Sequence, residues 1–392
     1  MNKRILHSEV REFIKEHLQD DIPGIILKKS PFEEISSKEL AEQIDSKKRC
    51  EFKLPLWFNT ENIYYPAKLS IEQASSEIAA KYKAGLIQGN NIIDLTGGFG
   101  VDSHFFALKA DFVTHCELNQ ELSEISKHNS KVLGVSINYV NTNGIDYLKD
   151  SNKNFSTIYI DPSRRVESKK VFLLKDCEPD IISNLELLNE HSDRIIIKTA
   201  PLLDIQSAIR ELKKISEIHV ISIKNDCKEL LIVINKNNAN NDPLITCILI
   251  GDQEKKYTFK LSDEKNYNIS NYSEPLDYLY EPDTALLKAG CFKLICRDFK
   301  IEKLHQHTHL YTSKKLINEF PGRKFKIKKL WTFGQFSKEN EIKKANIICR
   351  NFGLSPEEIK KKLKIKDGSD EYLLFCTGLN NELLVINCER IL

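Results

Sequence analysis

No stretch of the 392 residues approaches the roughly eighteen consecutive apolar residues that a helix needs to cross a bilayer. The longest apolar clusters are strand-sized pieces such as Arg194 to Ile197 and Glu229 to Ile234. The opening MNKRILHSEVREF is charged throughout and lacks the apolar segment of a secretory signal, so a cytoplasmic protein without membrane contact is expected. Ten cysteines occur without one CxxC pair, the closest spacing being Cys291 to Cys296. That pattern argues against a zinc module and leaves most thiols to act as small buried apolar residues. His305, His307 and His309 alternate, but no carboxylate cluster or cysteine pair completes a site, and no metal is expected. No cysteine stands near the ends of the fourth or fifth predicted strand, which argues against covalent pyrimidine C5 chemistry.

What is present is an ordinary folding balance, 41% hydrophobic and 29% charged residues, on a chain long enough for several domains. The net charge of +2 conceals an uneven distribution. Cys291 to Lys366 holds 20 Lys+Arg against 7 Asp+Glu, so this segment carries +13 and the remainder −11. A one-sided excess of that size suits a polyanionic partner.

The first 90 residues read as helical, with capping-box patterns at Ser36 to Glu39 and Ser70 to Gln73. The second is expected to open one helix presenting Ile71, Ala74, Ile78 and Tyr82 on a single face. From Asn91 the texture changes to β-rich runs separated by helical stretches. Strands are expected at Asn91 to Leu95, Phe112 to Glu117, Ile137 to Asn141, Thr157 to Asp161, Arg194 to Thr199, Ile218 to Ile223 and Leu230 to Asn235. Only Lys224 to Glu229 separates the last two, so they should form an antiparallel hairpin. The polar KNNANND, Lys236 to Asp242, marks a boundary. Beyond it, Pro282 should open a helix running to about Phe299. The tail from Phe325 reads as a small α/β domain whose last helix starts at Ser355, Pro356 and Glu358.

The first strand runs into Asp94, Leu95, Thr96, Gly97, Gly98, Phe99, Gly100, Val101 and Asp102. Glycines there admit positive φ and a close ligand. A dinucleotide fingerprint would need a third glycine where Ser103 stands, so a pyrophosphate-free cofactor fits better. Glu117 closes the second strand 17 residues after Gly100, where a carboxylate can accept from both ribose hydroxyls of an adenosine. Asp94 suits a cation, and Asn143 suits an adenine edge. Asp161, Pro162, Ser163, Arg164 and Arg165 follow the fourth strand, and ligands of open parallel sheets bind at such strand ends. Five parallel strands and a terminal hairpin form the pattern of an S-adenosylmethionine (SAM) methyltransferase.

The stretches SIEQASSEIAAKYKA, DLTGGFGVD, YIDPSRR, IIIKTAP, NDCKELL, YEPDTALLKAG, HLYTS, FPGR and ANIICRNFGLSPEEIKKKLKIKDGSDEYLLF resemble bacterial class I SAM-dependent methyltransferases. The family resembled carries a small ferredoxin-like insert and a C-terminal THUMP-like domain, and the resemblance covers nearly the whole chain. It implies an α/β fold with a seven-stranded Rossmann-like sheet. An N-terminal helical region at 1–70 would precede a SAM-binding domain at 71–240. A linker hairpin with the ferredoxin-like domain would occupy 241–320, and a basic THUMP-like domain 321–392. It also implies RNA as substrate, tRNA or rRNA. DPSRR is similar to the D/N-P-P-aromatic motif of amino-group methyltransferases, with Ser163 and Arg164 in place of the second proline and the ring.

The candidate catalytic residues are Asp161 and Lys198. The candidate cofactor set is Gln73, Ser76, Asp94, Thr96, Gly98, Gly100, Asp102, Glu117, Leu118, Asn143, Gly144 and Asp161. The candidate RNA contacts are Arg164, Arg165, Arg323, Lys324, Lys326, Lys328, Arg350 and Lys361, with Trp331, Phe333 and Phe336 as stacking surfaces. A methyltransferase for small molecules and a SAM-binding, RNA-binding protein without catalysis are the competing readings.

Overall fold

The computed structural model describes residues 1–164, 173–238, 242–368 and 370–391. It comprises two compact units, Met1–Ser216 with Leu231–Asn241, and Glu217–Leu230 with Asp242–Leu392. Among the described residues no helix is long and apolar enough to cross a membrane.

The first unit begins with short helices whose apolar faces join the same core as the sheet. Ser37–Lys53 starts at a capping box, in which Ser36 Oγ accepts from Glu39 N and Glu39 accepts from Ser36 N, as the sequence pattern predicts. Its Leu40, Ala41, Ile44 and Cys50 are buried together with Trp57, Phe105, Phe106, Tyr159 and Ile196. The helix expected from Ser70 is two helices, Lys68–Gln73 and Glu77–Ala84. The chain is extended at Ala74, and Ser76 caps the second helix by accepting from Ala79 N. A serine that can satisfy a free backbone donor favours a helix start over continuation of the preceding helix.

Five strands of this unit are parallel: β1 (Asn91–Asp94), β2 (Phe112–Cys116), β3 (Asn138–Val140), β4 (Thr157–Ile160) and β5 (Arg194–Thr199), in the order β3-β2-β1-β4-β5. Ile92, Ile93, Ile158, Ile160 and Ile195 to Ile197 are fully buried, as a sheet covered on both faces requires. All strands point their carboxyl ends to one edge, and the loops leaving that edge carry the site.

In the second unit, β6 (Glu217–Ile223) meets the start of β7 (Asp226–Asn235) through Lys224 and Asn225, at φ 51° and 64°. Positive φ at both turn residues is that of the twist-matched two-residue turn of an antiparallel hairpin. The count of seven strands needs correction. β8 (Leu244–Ile250) runs parallel to β6, and β9 (Glu254–Lys260) pairs antiparallel with β8, so strand pairing continues beyond the seventh expected strand.

A second sheet orders β11-β12-β10-β13-β16-β15-β14, where these are Glu302–Lys303, Tyr311–Ser313, Tyr278–Pro282, Gly322–Thr332, Leu383–Ile391, Glu371–Thr377 and Asn346–Arg350. β10 pairs antiparallel with β13, which makes the sheet continuous from residue 278 to the C-terminal strand. The helix predicted from Pro282 is again two, Thr284–Ala289 and Leu294–Phe299. Pro282 ends β10, Asp283 is the cap, and Gly290 at φ 74° terminates the first helix in the left-handed conformation. Pro356–Leu363 has the predicted capping box of Ser355 and Glu358 and joins parallel strands β14 and β15.

Candidate cofactor site and basic face

Gly97 Nα donates to Cys116 O at 2.8 Å, and Gly100 Nα to Gly97 O at 2.9 Å, so the turn after β1 folds back onto the end of β2. Gly98 and Gly100 have φ of 54° and 80°. A Cβ on Gly97 would stand 2.1 Å from the His115 ring, and no other residue fits there. Gly98 Nα donates to Glu117 Oε2 at 2.9 Å, and Asn119 Nα to Glu117 Oε1 at 2.7 Å. The predicted acid is thus fixed against the predicted glycine turn, with about two of its four acceptor positions left for a ligand. Leu118 beside it is 71% exposed.

At the end of β1, Asp94 is buried. Its Oδ1 accepts from Thr96 Nα at 3.1 Å and its Oδ2 from Ser103 Oγ at 2.7 Å. Burial pushes its carboxyl up to about 7, against the pull of the Ser103 hydroxyl. Thr96 Oγ1 accepts from Asp161 Nα at 2.6 Å, which ties the ends of β1 and β4 together. Lys198, near the end of β5, donates from Nζ to Asp161 Oδ2 at 2.7 Å. Burial raises the Asp161 carboxyl above its ordinary range, and the Lys198 ammonium opposes the rise. Asp94, Thr96, Asp161 and Lys198 therefore meet at one edge. Gly144 packs against the same edge, since a Cβ there would lie 2.3 Å from Leu95 O.

Other predicted residues stand differently. Asn143 Oδ1 caps the helix Gly144–Lys149 by accepting from Ile145 Nα at 2.9 Å. Ser76 is likewise a cap, and Gln73 is exposed at a helix end. Asp102 faces inward. Its Oδ2 accepts from Ser75 Oγ at 2.7 Å and Tyr159 OH at 3.0 Å, and its Oδ1 lies 2.8 Å from Lys83 Nζ. Burial opposes the ionisation of Asp102, and the Lys83 ammonium overrides it, holding the carboxyl below the usual range. Lys83 is fully buried and was not foreseen. The available signal was its position, because Ala79, Ala80, Lys83 and Ala84 are the buried face of Glu77–Ala84, and a lysine on such a face requires a buried partner.

The predicted RNA contacts divide into two groups. Arg323 and Arg350 both pair with buried Glu281, Arg350 Nη2 at 2.5 Å from Glu281 Oε1, and so serve the interior of the second unit. Along β13 the register shifts between Ile327 and Lys329. Lys324 lies opposite Ile391, Lys326 opposite Glu389, Lys329 opposite Asn387 and Trp331 opposite Val385. Residues directly opposite share a face. The bulge therefore keeps Lys329 and Trp331 on the face that already holds Lys324 and Lys326, where strict alternation would have turned Lys329 away. Lys326 lies over the Tyr278 ring at 4.4 Å and Lys329 over the Trp331 ring at 4.6 Å. Lys328, at the bulge, pairs with Glu389 at 3.2 Å. Lys361 is exposed on Pro356–Leu363. Arg165 lies outside the described residues. Arg164 belongs to a two-residue strand, Ser163–Arg164, paired with Cys177–Glu178.

His309 stacks on Phe292 at 3.7 Å, and the His305 and His307 rings are 5.8 Å apart. Among the described residues no three His, Cys, Asp or Glu side chains group as metal ligands. Cys227 and Cys349 are half-buried, and the other eight cysteines are buried.

Comparison with known proteins finds two matched domains in the C-terminal part of the chain. Residues 278–321 match a ferredoxin-like domain and residues 322–390 a THUMP-like domain. A crystal structure described as that of a candidate methyltransferase from Porphyromonas gingivalis W83 matches with a TM-score of 0.88 and 28% identity, covering 100% of this chain and 99% of that one. Over 94 residues the chain is 32% identical to an uncharacterized RNA methyltransferase of Mycoplasma mobile, 24% of this chain and 26% of that protein. The chain thus spans about a quarter of the length of that relative. The fold is an α/β fold shared over the full length with the P. gingivalis protein, it carries the ferredoxin-like and THUMP-like pair, and the resemblance read from the sequence is borne out.

Proposed function

We propose that the chain is a class I SAM-dependent methyltransferase acting on a nucleobase nitrogen of structured RNA, tRNA or rRNA. The observation that carries this reading is the meeting, at the carboxyl ends of β1, β2, β4 and β5, of a glycine turn, a fixed Glu117 carboxylate, Asp94 and the Asp161–Lys198 pair. The site fits the cofactor chemically. The turn admits close approach at Gly98 and Gly100, Glu117 keeps acceptor capacity for a ribose, and the surrounding carboxylates suit a cation. SAM supplies an electrophilic methyl group when bound. Asp161 Oδ1 accepts no hydrogen bond among the described residues, while Lys198 holds Oδ2, so the free oxygen is available to a substrate amine. The names of the P. gingivalis and M. mobile relatives support methyl transfer, the latter to RNA. The lysine face of the THUMP-like domain, with aromatic rings beneath two of the ammonium groups, supports RNA docking.

Nucleoside mass spectrometry on RNA incubated with the protein and SAM is the direct test. A new methylated base nitrogen is expected, and transfer only to small molecules would replace RNA as the substrate class. Glu117→Ala is expected to weaken SAM binding by about 2 kcal/mol, roughly thirtyfold, because charge-assisted hydrogen bonds to ribose hydroxyls are worth about 1.5 to 3 kcal/mol. Unchanged affinity in calorimetry would remove the ribose assignment.

A further inference from the structure

Five ionisable side chains crowd the floor of the strand-end edge, and their pairing is uneven. Lys83 Nζ lies 2.8 Å from Asp102 Oδ1, and Lys198 Nζ lies 2.7 Å from Asp161 Oδ2. Among the described residues, Asp94, nearly inaccessible to solvent, accepts only from Thr96 Nα and Ser103 Oγ, and no lysine or arginine pairs with it. Among the described residues, the titratable groups that act on it most strongly add no compensating charge. Asp102 and Asp161 act on it as like charges. His115, 3.0 Å from Ser103 Oγ, is kept neutral by burial, which pushes its pKa down to about 3. The Cys116 thiol and the Tyr139 hydroxyl are raised by burial and stay protonated. Two ammonium groups thus cancel two carboxylates, and one carboxylate is left over.

Resting on the SAM reading above, we infer that Asp94 is a specificity-determining residue. It makes the pocket prefer the cofactor while the cofactor carries a net positive charge, and release that preference once the charge is gone. The chemistry supplies the change of charge. With SAM bound, the sulfur–methyl bond would break with its electron pair left on sulfur, the substrate nitrogen would form the new bond from its lone pair, and the proton of that nitrogen would pass to the unengaged oxygen of Asp161 and on to solvent. The sulfonium becomes a neutral thioether. SAM, with sulfonium, ammonium and carboxylate, bears one net positive charge, whereas S-adenosylhomocysteine bears none. A lone buried carboxylate attracts the first and is indifferent to the second. Lys83 acts as a positioning residue, because without it Asp102 would be a second unpaired acid in the same dry space.

Asp94 is half ionised near pH 7, which makes the preference pH-dependent. A cation can bind tightly only to the ionised form, and that form grows about tenfold between pH 6 and pH 8 for a group of this pKa. Affinities of both ligands measured by calorimetry across that range test the inference. The ratio of SAM to S-adenosylhomocysteine affinity is expected to rise about tenfold in the wild-type protein and to stay flat in Asp94→Asn. Should Asp94→Asn fail to fold, proton release by the wild-type protein decides the matter. Titrations near pH 6 in buffers of different ionisation enthalpy are expected to show about one more proton released with SAM than with the product, since the amino acid end is common to both and cancels. Equal proton release, or a ratio that ignores pH while both ligands bind, overturns this inference alone. If neither ligand binds at any pH, the cofactor reading fails and this inference fails with it.

Discussion

Asp161→Ala is expected to lower methyl transfer about a hundredfold or more while changing SAM affinity less than about threefold. An exocyclic amine is a poor nucleophile because its lone pair is delocalised into the ring. A hydrogen-bond acceptor aimed at the amine favours the tetrahedral nitrogen that attacks carbon, and a positioned group of this kind contributes about 10² to 10⁴ in rate. The geometry suits that task. The main chain of Asp161 is pinned to Thr96 Oγ1, and Lys198 holds one carboxylate oxygen while the other is unengaged among the described residues. In-line displacement needs the nitrogen within about 3.5 Å of the methyl carbon, opposite the sulfur, so the acceptor must be fixed as well as charged. Turnover and calorimetry on the same variant separate the roles. If SAM binding collapses in parallel with turnover, Asp161 is a cofactor or structural residue. If turnover survives, the target is a ring nitrogen or ribose hydroxyl, and Lys198 is the residue to test next.

The parts of this site that were legible in the sequence are those whose chemistry is local. The turn around Gly98 and the spacing to Glu117 could be read because a glycine-rich junction and the end of the adjacent strand are set by strand length alone, and Gly98 Nα does meet Glu117. The Ser355 capping box is equally local and appears as predicted. The Lys83–Asp102 pair depended on where a preceding helix packs. Asp102 therefore read as a ligand-facing acid, when its carboxylate is turned to Lys83, Ser75 and Tyr159. Arg323 and Arg350 read as free surface charge for the same reason, because nothing near either in the chain shows that Glu281 will be buried between them. The helices split at Ala74 and Gly290 failed through competition between a continuous apolar pattern and a residue that satisfies a helix end. β8 and β9 were readable as a hairpin, but their place beside β6 was not, since pairing partners are a tertiary choice.

Replacing Lys324, Lys326, Lys328 and Lys329 together by glutamine is expected to remove most of the salt dependence of RNA binding. Each phosphate neutralised by a lysine adds roughly 0.7 to 0.9 to the slope of log affinity against log salt. Four lysines along β13 therefore account for a slope of about 3. Between about 50 and 200 mM salt, the affinity gap between the wild type and the variant should shrink about 50- to 150-fold. Substitution is the right instrument, because deleting the chain from Pro321 onward would remove β13, to which β10 is hydrogen-bonded, and open the core around Leu279, Leu304 and Leu310. The four side chains carry little of the fold themselves. Lys326 and Lys329 are themselves exposed, and the Lys328–Glu389 pair is solvent-exposed, where such pairs contribute about 0 to 1 kcal/mol. The melting temperature should thus change little, which separates lost docking from lost structure. Trp331 shares the face, so a residual affinity that ignores salt and falls further in Trp331→Ala would identify base stacking beside the phosphate contacts. If the quadruple variant keeps the wild-type slope, the lysine face of β13 does not dock the RNA, and the remaining positive charge of the second unit, Lys361 first, becomes the place to look.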